Sequence, residues 1–106
     1  MTNNYLPSKL NFTIANVNWQ QGYLPLNLST SWDNFPIDAK ELAKHLGATI
    51  VSQEVGADLY HWTLDFEGTR LNLIYEDNSE SCWLELHHSH EQEVLDFIAT
   101  LIGNQT

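Results

Sequence analysis

The stretch Leu59-Tyr60-His61-Trp62-Thr63-Leu64-Asp65-Phe66-Glu67-Gly68-Thr69-Arg70-Leu71-Asn72-Leu73-Ile74-Tyr75-Glu76 decides the fold. Apolar and polar residues alternate on both sides of Glu67-Gly68, the pattern of two half-buried strands joined by a tight reverse turn. With Glu67-Gly68 as a two-residue turn, Leu64 faces Leu71, Trp62 faces Leu73 and Tyr60 faces Tyr75, while Asp65 faces Arg70 on the opposite side. A slip of one residue would send every one of these side chains to the other face, so the chemical sense of the pairs is itself a test of the register.

Working outward, Ser81–His88 alternates in the same way after Asp77-Asn78-Ser79-Glu80. Centring that turn on Asn78-Ser79 sets Tyr75 opposite Cys82, Leu73 opposite Leu84 and Leu71 opposite Leu86, so two independent turns select the same core face. Upstream, Ala48–Val55 reads as a fourth strand joined through Gly56-Ala57, where a three-residue loop would invert the parity. Two helices flank these strands. The first is predicted over residues 39–46, with Asp38 as cap, Glu41 as its capping-box partner, Ile37 stapled on Leu42 and Gly47 as the left-handed stop. The second follows Ser89-His90-Glu91-Gln92, with Ser89 as cap, Val94, Leu95, Phe97, Ile98, Leu101 and Ile102 at helical spacing, and Gly103 at its end. The expected class is α+β: a two-layer sandwich of a four-stranded antiparallel meander and two helices packed on the face carrying Leu71, Leu73 and Leu84. Residues 36–103 form this helix-meander-helix core. Residues 1–35, where Leu10–Ala15 alternates like a strand, supply an edge strand or a cover for the second face.

Composition agrees. The chain has 106 residues, 42% of them hydrophobic and 11% aromatic, enough for one core and too few for two domains of about 50 residues each. Four Lys and Arg against 14 Asp and Glu give a net charge of −10, a field that disfavours nucleic acid and anionic membranes as partners. The single Cys82 excludes an intramolecular disulfide, no apolar run approaches a membrane span, and Met1–Tyr5 lacks a basic, then apolar leader; the expected location is the cytoplasm.

The second sheet face is the informative surface. Its predicted rows are His61, Ile74 and Trp83; Thr63, Asn72 and Glu85; and Asp65, Arg70 and His87, with Ile50 extending its apolar part. A tryptophan beside an isoleucine on a face that antiparallel sheets often leave wet calls for a cover or a partner. His61, Ile74, Trp83 and His87 are therefore the candidate contact residues of a non-enzymatic protein that acts by binding another protein or a second copy of itself. A second candidate is the polar cluster Asp65, Arg70, Glu85 and His87, in which a carboxylate-positioned imidazole would serve a ligand-binding or catalytic cleft. A third is metal binding through His87-His88-Ser89-His90 with His61, which the spacing weakens because His87 and His88 point to opposite sides of a strand. No metal site, cofactor or catalytic residue is assigned: there is no nucleophile elbow, phosphate-cradling loop or paired-cysteine motif, and Cys82 falls on the core face.

Phe35-Pro36-Ile37-Asp38, Trp62-Thr63-Leu64-Asp65-Phe66 and Cys82-Trp83-Leu84-Glu85-Leu86 resemble the pattern of a small family of uncharacterised bacterial proteins, over most of the chain. The resemblance implies a compact standalone domain of unassigned function and carries no catalytic residue with it.

Overall fold

The computed structural model describes residues 12–14, 22–88 and 91–103. In chain order the elements are β1 (Phe12–Ile14), β2 (Tyr23–Leu28), α1 (Phe35–Leu46), β3 (Thr49–Val55), β4 (Leu59–Phe66), β5 (Thr69–Glu76), β6 (Ser81–Leu86) and α2 (Gln92–Gly103). All neighbouring strands are antiparallel, in the order β1-β2-β6-β5-β4-β3, and both helices pack on one face. The class is α+β, as the alternation predicts. The sheet has six strands rather than four, because the N-terminal segment adds two at the β6 edge.

The central registers follow from the turns. Tyr60 pairs with Tyr75, Trp62 with Leu73 and Leu64 with Leu71; across the next ladder Leu71 meets Leu86, Leu73 meets Leu84 and Tyr75 meets Cys82. Glu67 and Gly68 both take positive φ, 51° and 94°, the backbone that a right-twisted two-residue hairpin demands and that glycine supplies without a Cβ penalty. The second turn spans Asp77–Glu80, where the Glu80 N–H donates to the Asp77 carbonyl at 3.2 Å.

The β3–β4 hairpin departs from expectation in a way that changes a side chain's face. Its two-residue turn is Ala57-Asp58, closed by the Gly56 N–H donating to the Leu59 carbonyl at 2.7 Å, instead of Gly56-Ala57. A bulge then interrupts the ladder between Ile50 and Ser52. One extra residue inverts the parity, so Ile50 sits opposite Leu64 and packs on the core, not on the second face.

Helix α1 starts four residues before the predicted 39–46 span. Pro36 occupies the first turn, where its fixed φ suits the helix and its missing N–H has no intrahelical partner to lose. Phe35 is thereby delivered to the core and Asp38 lies within the first turn rather than capping it. The Ile37–Leu42 staple does not form: Ile37 is 65% exposed and Leu42 fully buried. Gly47 ends the helix at φ 74° as predicted. The proposed cap Ser89 lies outside the described residues. Gln92 does not reach back along its own helix; its Oε1 accepts from the Gly22 N–H at 2.5 Å and so ties α2 to the start of β2.

Between the layers lies one apolar cluster built from Leu64, Leu71, Leu73 and Leu84 of the sheet, Leu42 and Leu46 of α1, and Leu95, Ile98 and Ile102 of α2. Aromatic rings fill one end of it. Phe35 stacks on Tyr60 (centroids 4.8 Å apart) and Tyr75 (5.4 Å), and meets Trp62 edge-on at 5.6 Å. The Tyr60 hydroxyl donates to the Trp32 carbonyl at 2.9 Å, which satisfies its polar end at the rim. Among the described residues the sheet's two edges differ: β1 has three residues, whereas β3 has seven and carries the bulge.

Candidate functional site

With both helices on the core face, the other face of the sheet is a lattice of side chains fixed by strand period. Register places His61, Ile74 and Trp83 in one row, with Glu54 beside His61 and Pro25 beside Trp83. The next row is Ser52, Thr63, Asn72, Glu85 and Tyr23. The last described pair is Asp65 and Arg70, beside which the His87 N–H donates to the Arg70 carbonyl at 3.3 Å. The predicted rows are therefore present. The N-terminal segment extends them at the β6 edge: β2 adds Tyr23 and Pro25 to this face, and the Tyr23 and Trp83 rings lie 6.0 Å apart. Pro25 is tolerated inside β2 because the bond from the Leu86 N–H to the Gly22 carbonyl (2.9 Å) directs residues 22, 24 and 26 toward β6, so the proline's missing N–H faces away from that ladder.

The middle row is held by hydrogen bonds. Trp83 Nε1–H donates to Glu85 Oε1 at 2.8 Å, Asn72 Nδ2–H donates to Glu85 Oε2 at 3.1 Å, and Asn72 Oδ1 lies 2.8 Å from His87 Nε2 and 3.4 Å from the Thr63 hydroxyl. Donation to the carboxylate fixes the orientation of the Asn72 amide. Its oxygen then needs donors, and an Nε2–H on His87 supplies one. The linked side chains Trp83–Glu85–Asn72–His87 form a preorganised polar strip across the β5–β6 ladder.

Beside this strip runs an open groove of about 540 Å³. Glu54 of β3, His61 and Thr63 of β4, Asn72 of β5 and Glu85 of β6 line it, together with His87 and His88 after β6. Of the predicted contact residues, His61 and His87 reach the groove. Trp83 is partly buried next to it, and Ile74 is only 5% exposed, a support beneath the face rather than a contact upon it. Of the polar cluster, Glu85 and His87 are joined through Asn72, whereas Asp65 and Arg70 pair with each other outside the groove. Three groove residues lie outside the candidate set that the sequence supplies: Asn72 and Thr63 occur in the predicted rows without a role, and only the β3 register brings Glu54 in.

The Asp65 carboxylate accepts from the Gly68 N–H at 2.9 Å and from Arg70 Nε–H at 3.0 Å; the first bond, then the second, holds its pKa below the usual carboxylate range. A carboxyl depressed in the folded state stabilises the fold above its unfolded value of about 3.9, and that contribution is lost as pH falls through the folded value. A carbon-detected NMR titration should therefore show Asp65 protonating below the usual carboxylate range, and Asp65→Asn should flatten this part of the acid-unfolding curve. Titration at or above the ordinary value would contradict the turn geometry.

Cys82 is a buried free thiol on the core face, with its pKa driven up by burial, so it stays protonated and is no nucleophile. Among the described residues, no group of three or more His, Cys, Asp and Glu side chains could hold a metal ion. His90, part of the histidine cluster read from sequence, lies outside those residues. No helix among the described residues is long and apolar enough to cross a membrane.

No curated protein and no solved structure matches the chain. A family's sequence model matches residues 12–103, from β1 to the end of α2 and across every residue of the groove. The chain belongs to the family described as proteins of unknown function, DUF3630.

Proposed function

We propose that this chain is a protein-contact domain, non-enzymatic and cytoplasmic, whose working surface is the sheet face opposite the helices. One observation carries the reading: an indole, Trp83, is held by Glu85 on a sheet face that neither helix covers, beside Tyr23 and at the margin of an open groove. Tryptophan and tyrosine are the side chains most enriched at contact hot spots, because each gives a large area for few lost rotamers. Holding the ring in place beforehand lowers the ordering cost of association. The buried thiol of Cys82 accords with a reducing compartment.

The test is site-specific crosslinking in the native cells. A photoreactive residue at Thr63, in the groove, should yield a discrete crosslinked species that Trp83→Ala removes. The same residue at Ile37, 65% exposed on α1, should yield none. A product at Ile37 and none at Thr63 would move the contact to the helical layer and overturn the reading. A product of twice the chain's mass would identify the partner as a second copy.

A further inference from the structure

We infer that the groove accepts an extended segment of a partner protein carrying two Arg or Lys residues about four positions apart, one meeting Glu85 beside Trp83 and the other meeting Glu54. The inference rests on the protein-contact reading and specifies the partner's chemistry.

Charge complementarity carries it. Two carboxylates stand at the groove, with imidazoles between and beside them, and among the described residues no ammonium or guanidinium lines it. Among the described residues, Arg70 is the only Lys or Arg that register places on this face, and its Nε is committed to Asp65 at 3.0 Å. Lys40 and Lys44 lie on α1, in the opposite layer. Glu85 is held by Trp83 and Asn72, both neutral donors, so among the described residues no cation offsets its charge and each oxygen keeps a lone pair for a further donor. The adjoining indole adds a ring face of the kind on which a guanidinium packs. A second copy of this chain, with net charge −10, would bring the wrong sign to such a surface.

Geometry sets the spacing. Glu54 and Glu85 are separated by three ladder steps, from β3 through β4 and β5 to β6, and by one row along the strands. At about 4.8 Å per ladder and about 7 Å for two residues along a strand, their Cα atoms lie roughly 16 Å apart. Residues i and i+4 of an extended segment share a side and stand about 13 Å apart, and long basic side chains cover the remainder.

The probe is a peptide, Arg-Thr-Val-Thr-Arg with blocked ends, titrated into the labelled full chain and followed by amide NMR shifts, with Gln-Thr-Val-Thr-Gln as its neutral counterpart. The arginine peptide should shift the amides of Glu54, Thr63, Asn72 and Glu85, weaken as salt is raised, and lose about fivefold in affinity with either Glu54→Gln or Glu85→Gln. Both replacements keep an acceptor oxygen, and Glu80→Gln, in the β5–β6 turn, should leave binding unchanged. Equal weakening by Glu80→Gln, shifts spread over the whole acidic surface, or equal binding of the neutral peptide would overturn the inference. The two readings fail separately. If Thr63 crosslinks to a partner segment that lacks a basic pair, or to a second copy, the basic-segment inference falls while the contact surface stands. If Thr63 crosslinks to nothing while Ile37 does, the contact reading itself falls.

Discussion

Leu73→Asp is expected to abolish the cooperative native state. Leu73 is fully buried at the centre of β5, with Trp62 and Leu84 as its cross-strand partners and both helices on the same side of the sheet. Removing that hydrocarbon forfeits about 1.5–3 kcal/mol of burial. The carboxylate put in its place has no partner within an apolar layer and must either take up a proton or admit water, at a cost of several kcal/mol more. Against a total stability of about 5–15 kcal/mol for a domain of ordinary size, the sum is enough to unfold the chain or nearly so. The near-ultraviolet circular dichroism of the tryptophans should vanish and the thermal transition should lose its sigmoid. Because protonation relieves the penalty, part of the native signal should return as pH is lowered toward 5. A sharp melt near that of the parent chain at neutral pH would place residue 73 in water and refute the assignment of faces. Leu73→Ala, a cavity without a charge, should cost about 2–5 kcal/mol and keep the fold measurable.

Phe35→Ala is expected to cost about 3–5 kcal/mol, the upper range for one truncated core side chain. Phe35 sits at the first position of α1 and contacts Tyr60, Tyr75 and Trp62 of the sheet and Phe12 of β1, the last at 6.4 Å and nearly perpendicular. It therefore joins the helix start, two central strands and the N-terminal edge in one set of rings. Phe35→Leu preserves most of the volume and loses the ring geometry, so a smaller loss is expected, with about 0.5–1.5 kcal/mol assignable to each favourable ring pair. Urea unfolding followed by tryptophan fluorescence separates the two variants. The midpoint should fall for both, further for alanine, with an unchanged slope if the native and denatured states keep their exposed areas. Equal small shifts for both would show that the helix start is held by other contacts.

Residues 59–86 were legible from sequence because each turn there is written locally. Glu67-Gly68 tolerates the positive φ that a two-residue hairpin needs, and the alternation of Tyr60, Trp62, Leu64, Leu71, Leu73, Tyr75 and Leu84 repeats the same parity on both sides. Three features were not written locally. The bulge near Val51 leaves no signature in Thr49–Val55, where β-branched residues occur at positions on both faces, so alternation alone puts Ile50 on the second face instead of the core. The start of α1 is set by where Phe35 finds rings to stack on, a tertiary preference that outweighed the capping-box pattern at Asp38. Pairing of β2 with β6 joins residues about sixty positions apart, and nothing in Tyr23–Leu28 names its partner. The site was legible to the same extent. Rows inside the β4–β5–β6 meander gave His61, Trp83, Glu85 and His87 correctly placed on one face. Glu54 entered only through the β3 register, and Ile74 withdrew from the contact surface because the side chains around it leave it 5% exposed.

The unequal borders of the sheet have a bearing on colloidal behaviour. Fibre growth by strand addition is head-to-tail: every molecule must donate one border and receive at the other. The irregularity at Val51 breaks the even spacing of amides along the seven-residue β3 border. Strand addition along β3 is thereby disfavoured, and with it the head-to-tail step on which filament growth depends.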